Sequence, residues 1–296
     1  MSTPADATTK AYHVNLKPVG LQWKNRLKPL VIVLTMALLL IMLFPFFVMI
    51  TMMLRTSQEV YITPPRWIPQ APTLKNFVLV WSQYLLAGYF KSSAIIAIGA
   101  SVLNMLLSIP AAYAIARLRF RGRQVSLYLF LVVQMFSPVV VVIPLFKTFA
   151  RLGLLDSYSG LIVLNAVFTM AFSIWLLSGY FKSIPKEIEE AAFIDGATRF
   201  QTVTKVILPI SAPGLVTTFI YTFIAAWNEF LFALSFIQNQ TKMPLTLGLY
   251  RFVGRWSSQW ELLTTAAFLA IIPVLILFYA IQQRLVGGLT GGAVKG

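Results

Sequence analysis

Apolar residues are concentrated in six long runs, and polar segments separate one run from the next. The runs cover residues 30–54, 93–116, 125–149, 160–181, 207–237 and 262–281. Each has about 20 residues or more, which at a rise of about 1.5 Å per residue crosses a hydrocarbon core about 30 Å thick. The pattern predicts an all-α polytopic membrane protein with six transmembrane helices.

The runs divide the chain into five regions. Residues 1–29 form a polar tail, and the first helix at 30–54 is too long for the apolar part of a signal peptide, so we expect it to be retained. A loop follows at 55–92. Residues 93–281 form a core domain of five helices with a polar loop at 182–209, and residues 282–296 form a second tail.

Charge patterning predicts the orientation of these helices. The chain has 296 residues, of which 58% are hydrophobic and 11% charged, and its net charge is +15. Fifteen of the 24 basic residues lie in the two tails, the loop after the second run and the loop at 182–209. Lys and Arg are enriched on the cytoplasmic side, so both termini and these loops are expected to be cytoplasmic. Because the basic residues flank apolar runs and do not line one polar face, the expected partner is the lipid bilayer and no nucleic acid.

Several kinds of chemistry are not expected. The chain has no Cys, and its one His, His13, lies in the polar tail, so no disulfide, metal site or His-based catalysis is predicted. The pattern G-x-x-x-x-G-K-[ST] is absent, so the chain has no recognisable phosphate-binding loop. If transport is driven by ATP, another polypeptide hydrolyses it, and no cofactor is expected on this chain.

Proline occurs inside most of the apolar runs. Each proline removes a backbone hydrogen bond and tends to kink its helix. Kinked helices suit a bundle that rearranges, although proline is also common in static membrane helices. The prolines concerned are Pro45, Pro110, Pro138, Pro144, Pro213 and Pro273.

The polar loop at 182–209, called the acidic loop below, holds four of the nine acidic residues, Glu187, Glu189, Glu190 and Asp195. Pro185 is placed to begin a helix whose first turns carry the glutamates, and Gly196 is placed to end it. Thr198 and Gln201 have the spacing of a capping box, which predicts a second short helix ending near Pro209.

The first of these helices has a face that suits docking. Ile188, Ala191 and Ala192 share it, and two adjacent alanines let another surface approach the backbone closely. Glu190 stands beside them as an ion-pairing group for a basic residue of a partner. A solvated acidic face without a partner is the alternative, because runs of charge are usually of that kind.

The segment "EEAAFIDGATRFQTVTKVILP" resembles the EAA loop of binding-protein-dependent ABC importers. The motif is Glu-Ala-Ala, three residues, Gly, nine residues, a branched apolar residue, one residue and Leu-Pro, and Val206 stands where Ile is more usual. The resemblance implies that the loop forms the contact with a cytoplasmic ATPase. The residues it assigns to this coupling site are Glu190, Ala191, Ala192, Asp195, Gly196, Leu208 and Pro209.

Two further segments, "WNEFLF" and "QQRLVGGLTGGAVKG", resemble the MalG-type subunit of maltose-type carbohydrate importers. That resemblance implies the type I ABC importer permease fold in a bacterial inner membrane. The implied partners are a MalF-type permease subunit, two cytoplasmic ABC ATPase subunits, which bind ATP and Mg, and an extracytoplasmic sugar-binding protein. It also implies that the first helix wraps a partner.

Three other groups of residues are candidates for function. Asn228 and Glu229 fall within an apolar run, so they are expected to line the translocation path or to have a polar partner, unless they lie high enough to reach external water. The resemblance implies that Val253, Gly254, Arg255 and Trp256 belong to the loop that reaches the binding protein. The sequence does not closely match that loop, and Trp also anchors loops at membrane interfaces. The resemblance also implies that four residues of the C-terminal tail contact the ATPases, namely Gly291, Gly292, Lys295 and Gly296. The glycine content of this tail predicts that it is not helical.

The expected function is that of a permease subunit of an ATP-driven sugar importer, with maltose, a maltodextrin or a related oligosaccharide as cargo. An ion-coupled secondary transporter is the alternative, but it should show carboxylates at the membrane midplane or repeated broken helices, and only Glu229 qualifies. An intramembrane enzyme would need a nucleophile and a base together, and no pattern in the apolar runs provides them.

Overall fold

The computed structural model describes the backbone of residues 21–254 and 258–293, with side chains at 28–132, 134–254 and 258–279. Within these ranges there are helices and no β-strand, which confirms the all-α fold. The helices are α1 (Leu21–Met53), α2 (Ser57–Val60), α3 (Lys75–Ser82), α4 (Leu86–Arg117), α5 (Arg123–Gln134), α6 (Pro138–Arg151), α7 (Tyr158–Ser183), α8 (Lys186–Ile194), α9 (Arg199–Gln201), a π-helix (Thr202–Ile207), α10 (Leu208–Ile210), α11 (Ala212–Trp227), α12 (Leu231–Phe236), a 3-10 helix (Gln240–Lys242), α13 (Leu245–Tyr250) and α14 (Trp260–Ala293).

Four of the described helices are continuous, long and apolar enough to cross a membrane. They are Lys28–Met53, Leu86–Arg117, Tyr158–Ser183 and Trp260–Tyr279, and they correspond to the first, second, fourth and sixth predicted runs. The chain divides into two compact units, Met1–Val48 and Met49–Gly296. What is described of the first unit is α1 as far as Val48, and the second unit contains the end of α1 and the other described helices.

The third predicted run is not one helix, so that part of the prediction is wrong. Helix α5 ends at Gln134 and α6 begins at Pro138, with residues 135–137 between them. Ser137 has φ −63° and ψ 131°, an extended conformation. The residue before a proline is pushed out of the helical region, whereas proline itself fits the first turn of the helix that follows.

The fifth run is also interrupted. The segment Arg199–Ile210 meets α11 at a bend of 80°, and the pair counts as one span only if the bend is ignored. Pro213 occupies the first turn of α11, where a missing N–H costs no helical hydrogen bond. Beyond Trp227 the chain leaves the helical conformation and begins the short helix α12.

Helices α4, α7 and α11 pack against one another and form the centre of the second unit. Gly99 lets α4 approach α7, because a Cβ there would lie 2.7 Å from Cδ1 of Ile162. Buried Asn104 donates from Nδ2 to the carbonyl oxygen of Ala166 and to Oγ1 of Thr169, each at 3.0 Å. Small residues and interhelical hydrogen bonds of this kind hold membrane helices together.

The two ends of α4 separate two groups of loops. Its last residue, Arg117, contacts the acidic loop, whereas its first turns pack against α13 and α3. At that opposite end Asn76 donates to the carbonyl oxygens of Met53 and Arg55, both at 2.8 Å. The functional candidates therefore lie at two distant ends and at the breaks between them.

Candidate functional site

The acidic loop has the predicted helix, glycine turn and capped second helix. Helix α8 begins after Pro185, and Gly196 has φ +82°, which favours glycine. The N–H of Ala197 reaches back to the carbonyl oxygen of Ala192 at 3.0 Å, closing the helix end. The Gly196 prediction as a helix stop is confirmed.

The capping box is confirmed as well. The N–H of Gln201 donates to Oγ1 of Thr198 at 3.3 Å, and the N–H of Thr198 donates to Oε1 of Gln201 at 2.8 Å. The predicted end near Pro209 is confirmed, because the segment runs through the π-helix and α10 and ends at Ile210. The wider π turn, in which bonds join residues five apart, precedes the proline, and such turns are frequent at functional sites.

The predicted docking face is divided between the protein interior and the open surface. Glu190, Ala191, Asp195 and Gly196 are exposed. Ala192 is buried, and half-buried Ile188 packs against a cluster of α4 and α7 residues, so these two residues do not share an open face with Ala191. The reason is that the apolar stripe of a short surface helix turns toward its own protein. Of the remaining motif residues, Leu208 is half-buried and Pro209 is exposed.

Apolar residues beside the glycine turn were missed by the sequence analysis. Ile194 is 86% exposed and Phe200 is 77% exposed, and Phe193 is also exposed. Exposed apolar side chains that cluster at a loop tip indicate a surface for another protein. Ile194 and Phe200 lie on either side of Gly196, at positions for which the motif specifies no residue type. The motif alone therefore does not identify them.

Within the acidic loop, the residue that forms an ion pair with another described part of the chain is Glu189 and not Glu190. Oε1 of Glu189 lies 2.5 Å from Nε of Arg117, and both side chains are buried. Oη of Tyr113 donates to Oε2 of Glu189 at 3.4 Å, and Nη2 of Arg117 donates to the carbonyl oxygen of Ile184 at 2.7 Å. Glu190 remains exposed, with no ion pair among the described residues.

Glu229 and Asn228 lie at the junction of α11 and α12, and each bonds to a helix end. Oε1 and Oε2 of Glu229 accept from the N–H groups of Phe232 and Ala233 at 2.6 and 3.0 Å. Nδ2 of Asn228 donates to the carbonyl oxygen of Ile224 at 2.9 Å. The polar partner expected for Glu229 is thus the backbone of α12. A place for either residue in the translocation path stays a prediction.

The break between α5 and α6 places polar groups inside an apolar run. Gln134 and Ser137 are exposed, and Met135 between them is 84% exposed. Nε2 of Gln134 donates to Oη of Tyr221 on α11 at 3.3 Å. Non-helical backbone at membrane depth is tolerated only where protein covers it or where it lines a water-filled cavity. The Ser-Pro dipeptide at Pro138 was the signal for this break.

At the opposite end, an aspartate joins two loops. Oδ1 of Asp156 accepts from the N–H groups of Asn239 and Gln238 at 2.9 and 3.1 Å. Nζ of Lys242 donates to the carbonyl oxygen of Asp156 at 2.6 Å. These N–H groups, that of Asn239 first, lower the pKa of the Asp156 carboxyl below its usual range.

The remaining candidates are only partly described. Val253 and Gly254 are exposed, and Val253 pairs with Ser258 in an isolated bridge, whereas Arg255 and Trp256 lie outside the described residues.

Gly291 and Gly292 belong to α14, so the prediction of a non-helical tail is wrong as far as Ala293; Lys295 and Gly296 lie outside the described residues. Extending an existing helix adds a hydrogen bond per residue without the cost of nucleation, which offsets the poor propensity of glycine. Among the described residues, no group of three or more His, Asp or Glu side chains could hold a metal ion.

Comparisons with known proteins agree with this geometry. A family model described as "Binding-protein-dependent transport system inner membrane component" matches residues 104–290. The sulfoquinovosyl glycerol transport system permease protein SmoH of Agrobacterium fabrum is 37% identical over 269 residues, covering 91% of this chain and 94% of that protein. The trehalose/maltose transport system permease protein MalG of Thermococcus litoralis is 36% identical and covers 87% and 93% of the two chains.

The fold also matches a solved structure. A chain in the crystal structure of a bacterial ABC transporter that imports the acidic polysaccharide alginate superposes with a TM-score of 0.77 and 24% identity. The match covers 90% of this chain and 99% of that one. The likeness establishes the fold.

Proposed function

The chain belongs to the family of binding-protein-dependent transport system inner membrane components, and we propose that it is the sugar-specific permease subunit whose acidic loop docks on a cytoplasmic ABC ATPase. The observation that carries the proposal is the exposed tip of that loop. Ala191, Ile194 and Phe200 are exposed around the Gly196 turn, while Glu189 is buried and ion-paired. A loop that is rigidly held and apolar at its tip is suited to transmit force to or from a partner.

A second permease subunit, of the MalF type, completes the translocation pathway in this proposal. The break between α5 and α6, with exposed Gln134, Met135 and Ser137, is placed at the interface with that subunit or along the path. Its unpaired backbone groups would be costly against lipid, which favours protein or water on that side. This break is a stronger path candidate than Glu229, whose carboxylate is occupied by α12.

The cargo is a sugar or an oligosaccharide. The relatives named above are permease proteins of the sulfoquinovosyl glycerol and trehalose/maltose transport systems, whose cargoes are carbohydrates. An extracytoplasmic sugar-binding protein would deliver the cargo to the end of the bundle that carries Val253 and Gly254. The basic residues of the acidic loop and of the loop after α4 support a cytoplasmic location for that end of the bundle and for both termini.

The mechanism we propose is alternating access. ATP and Mg are bound by the partner ATPases, and their closure displaces α8 and the helices attached to it. The bent helices then open the path to the binding protein, and the sugar enters the membrane cavity. This chain binds, orients and moves, and the covalent chemistry is that of ATP hydrolysis on the partners.

Affinity purification from the native membrane tests the proposal. The tagged chain should recover an ABC ATPase, a second permease and a sugar-binding protein, each identified by mass spectrometry. Gly196→Asp should lose the ATPase and keep the second permease, because φ +82° is strained for Asp. Gly122→Asp is the matched control, since Gly122 has φ +86° in the loop after α4. Recovery of the chain without any ATPase, in wild type and control alike, would overturn the proposal.

A further inference from the structure

We propose that Glu189 and Arg117 are positioning residues that transmit movement of the docked helix α8 to the membrane helices. The inference rests on the proposed function, because it presupposes that an ATPase moves α8. It assigns the transmission step to a buried ion pair inside this chain, separate from the exposed residues that contact the partner.

The ion pair joins two different elements. Glu189 lies in α8, one residue before exposed Glu190, and Arg117 is the last residue of α4. The two side chains are 9% and 6% exposed, and their charged atoms are 2.5 Å apart. A charge that is buried this far and left unpaired is strongly unfavourable, so the pair holds α8 at one position on the end of α4.

Two hydrogen bonds orient the side chains of Glu189 and Arg117 at this junction. Tyr113, one turn earlier in α4, donates to the second oxygen of Glu189, and Arg117 donates to the carbonyl oxygen of Ile184 at the entrance to α8. Tyr113 also packs edge-on against Phe181 of α7, with ring centroids 6.3 Å apart. Three elements therefore meet at this junction, namely α4, α7 and the start of α8.

Three routes lead from α8 into the membrane, and the first is the covalent link to α7 through Ile184 and Pro185. The covalent route toward α11 passes the Gly196 turn, the π-helix and the 80° bend, each of which can deform. The route through Arg117 enters α4 directly, and α4 is joined to α7 by buried Asn104. Displacing α8 should therefore move α4 together with α7, provided that the ion pair is intact.

The test measures coupling separately from assembly. The complex of this chain with its partner permease, ATPases and binding protein is reconstituted in lipid nanodiscs. ATP hydrolysis is then measured with and without the sugar-loaded binding protein, as purified from the host. Glu189→Gln is compared with Glu187→Gln, which changes an exposed glutamate of the same helix. A charge reversal, Arg117→Glu with Glu189→Arg, is compared with each single reversal.

Glu189→Gln should reduce the ratio of stimulated to basal hydrolysis by at least about five-fold, the lower range of ordinary coupling between sites. Basal hydrolysis and ATPase recovery should stay at the wild-type level, and the double reversal should regain stimulation that both single reversals lack. Stimulation equal to wild type in Glu189→Gln would overturn this inference alone, as would parallel loss of stimulation and ATPase recovery. A wild-type complex without stimulation would contradict the proposed function itself.

Discussion

The carboxylate of Glu229 accepts a hydrogen bond from the N–H of Phe232 at 2.6 Å, so it caps the helix that follows it. Its second oxygen accepts from Ala233, and both N–H groups belong to the first turn of α12, which has no other intrahelical acceptor for them. The presence of an acidic residue in this apolar run is thus explained by the break between α11 and α12, because the helix that begins after the break needs a cap.

Replacing Glu229 separates its capping of α12 from a role in the translocation path. Glu229→Ala should lower the free energy of unfolding by about 0.5–2 kcal/mol, the usual cost of losing a helix cap, and Glu229→Gln should cost less because one acceptor remains. Thermal unfolding in detergent measures both. If Glu229→Gln abolished uptake at unchanged stability, the residue would act in the path beyond its capping contact.

The glycines of α7 provide a matched pair for packing. A Cβ at Gly160 would lie 2.3 Å from the backbone oxygen of Leu154, whereas nothing lies within 4 Å of a Cβ at Gly179. Gly160→Ala should therefore destabilise the protein by about 1–3 kcal/mol, as overpacking does. Gly179→Ala should be neutral or stabilising by about 0.5–1 kcal/mol, because alanine favours the helix. Equal unfolding midpoints for the two variants would refute the close approach at Gly160.

Asp156 predicts an acid dependence at the end of the bundle opposite the acidic loop. The pKa of the Asp156 carboxyl is lowered below 3.8, chiefly by the N–H of Asn239. The stabilisation that the ionised carboxylate gives the folded protein is therefore fully present above pH 3.8 and is lost as the pH falls through the folded pKa. The difference in unfolding midpoint between wild type and Asp156→Asn should be constant from pH 7 to 5 and should shrink below about pH 3.8. A difference in unfolding midpoint that increases as the pH falls would contradict the predicted lowering of the pKa.

The exposed tip of the acidic loop can be tested without disturbing its backbone. Ile194→Ser should weaken recovery of the ATPase, because Ile194 is 86% exposed and adds apolar area at the tip. Ile68→Ser is the control, since Ile68 is 70% exposed in the segment between α2 and α3. Both variants should keep the wild-type unfolding temperature. Equal ATPase recovery from the two would remove Ile194 from the docking surface.

Much of the fold follows from apolar runs, because four of the six runs are the four continuous helices. The other two runs contain Pro138 and Pro209 with Pro213, where composition indicates a span but local chemistry breaks the helix. The acidic loop was predicted well because Gly196 and the Thr198–Gln201 box act locally. The pairing of Glu189 with Arg117, which are 72 residues apart, depends on how α8 folds onto α4, and no local pattern distinguishes Glu189 from Glu190.

Site-specific crosslinking tests the central claim, that the acidic loop docks on an ATPase, most directly. A photoreactive amino acid replaces Ala191, which is exposed at the motif. The same residue replaces Ile68 as a control, and both variants are irradiated in native membranes. The account predicts an adduct between the Ala191 variant and an ABC ATPase, and none from the Ile68 variant. An Ala191 variant that is expressed at the wild-type level and gives no ATPase adduct would contradict it.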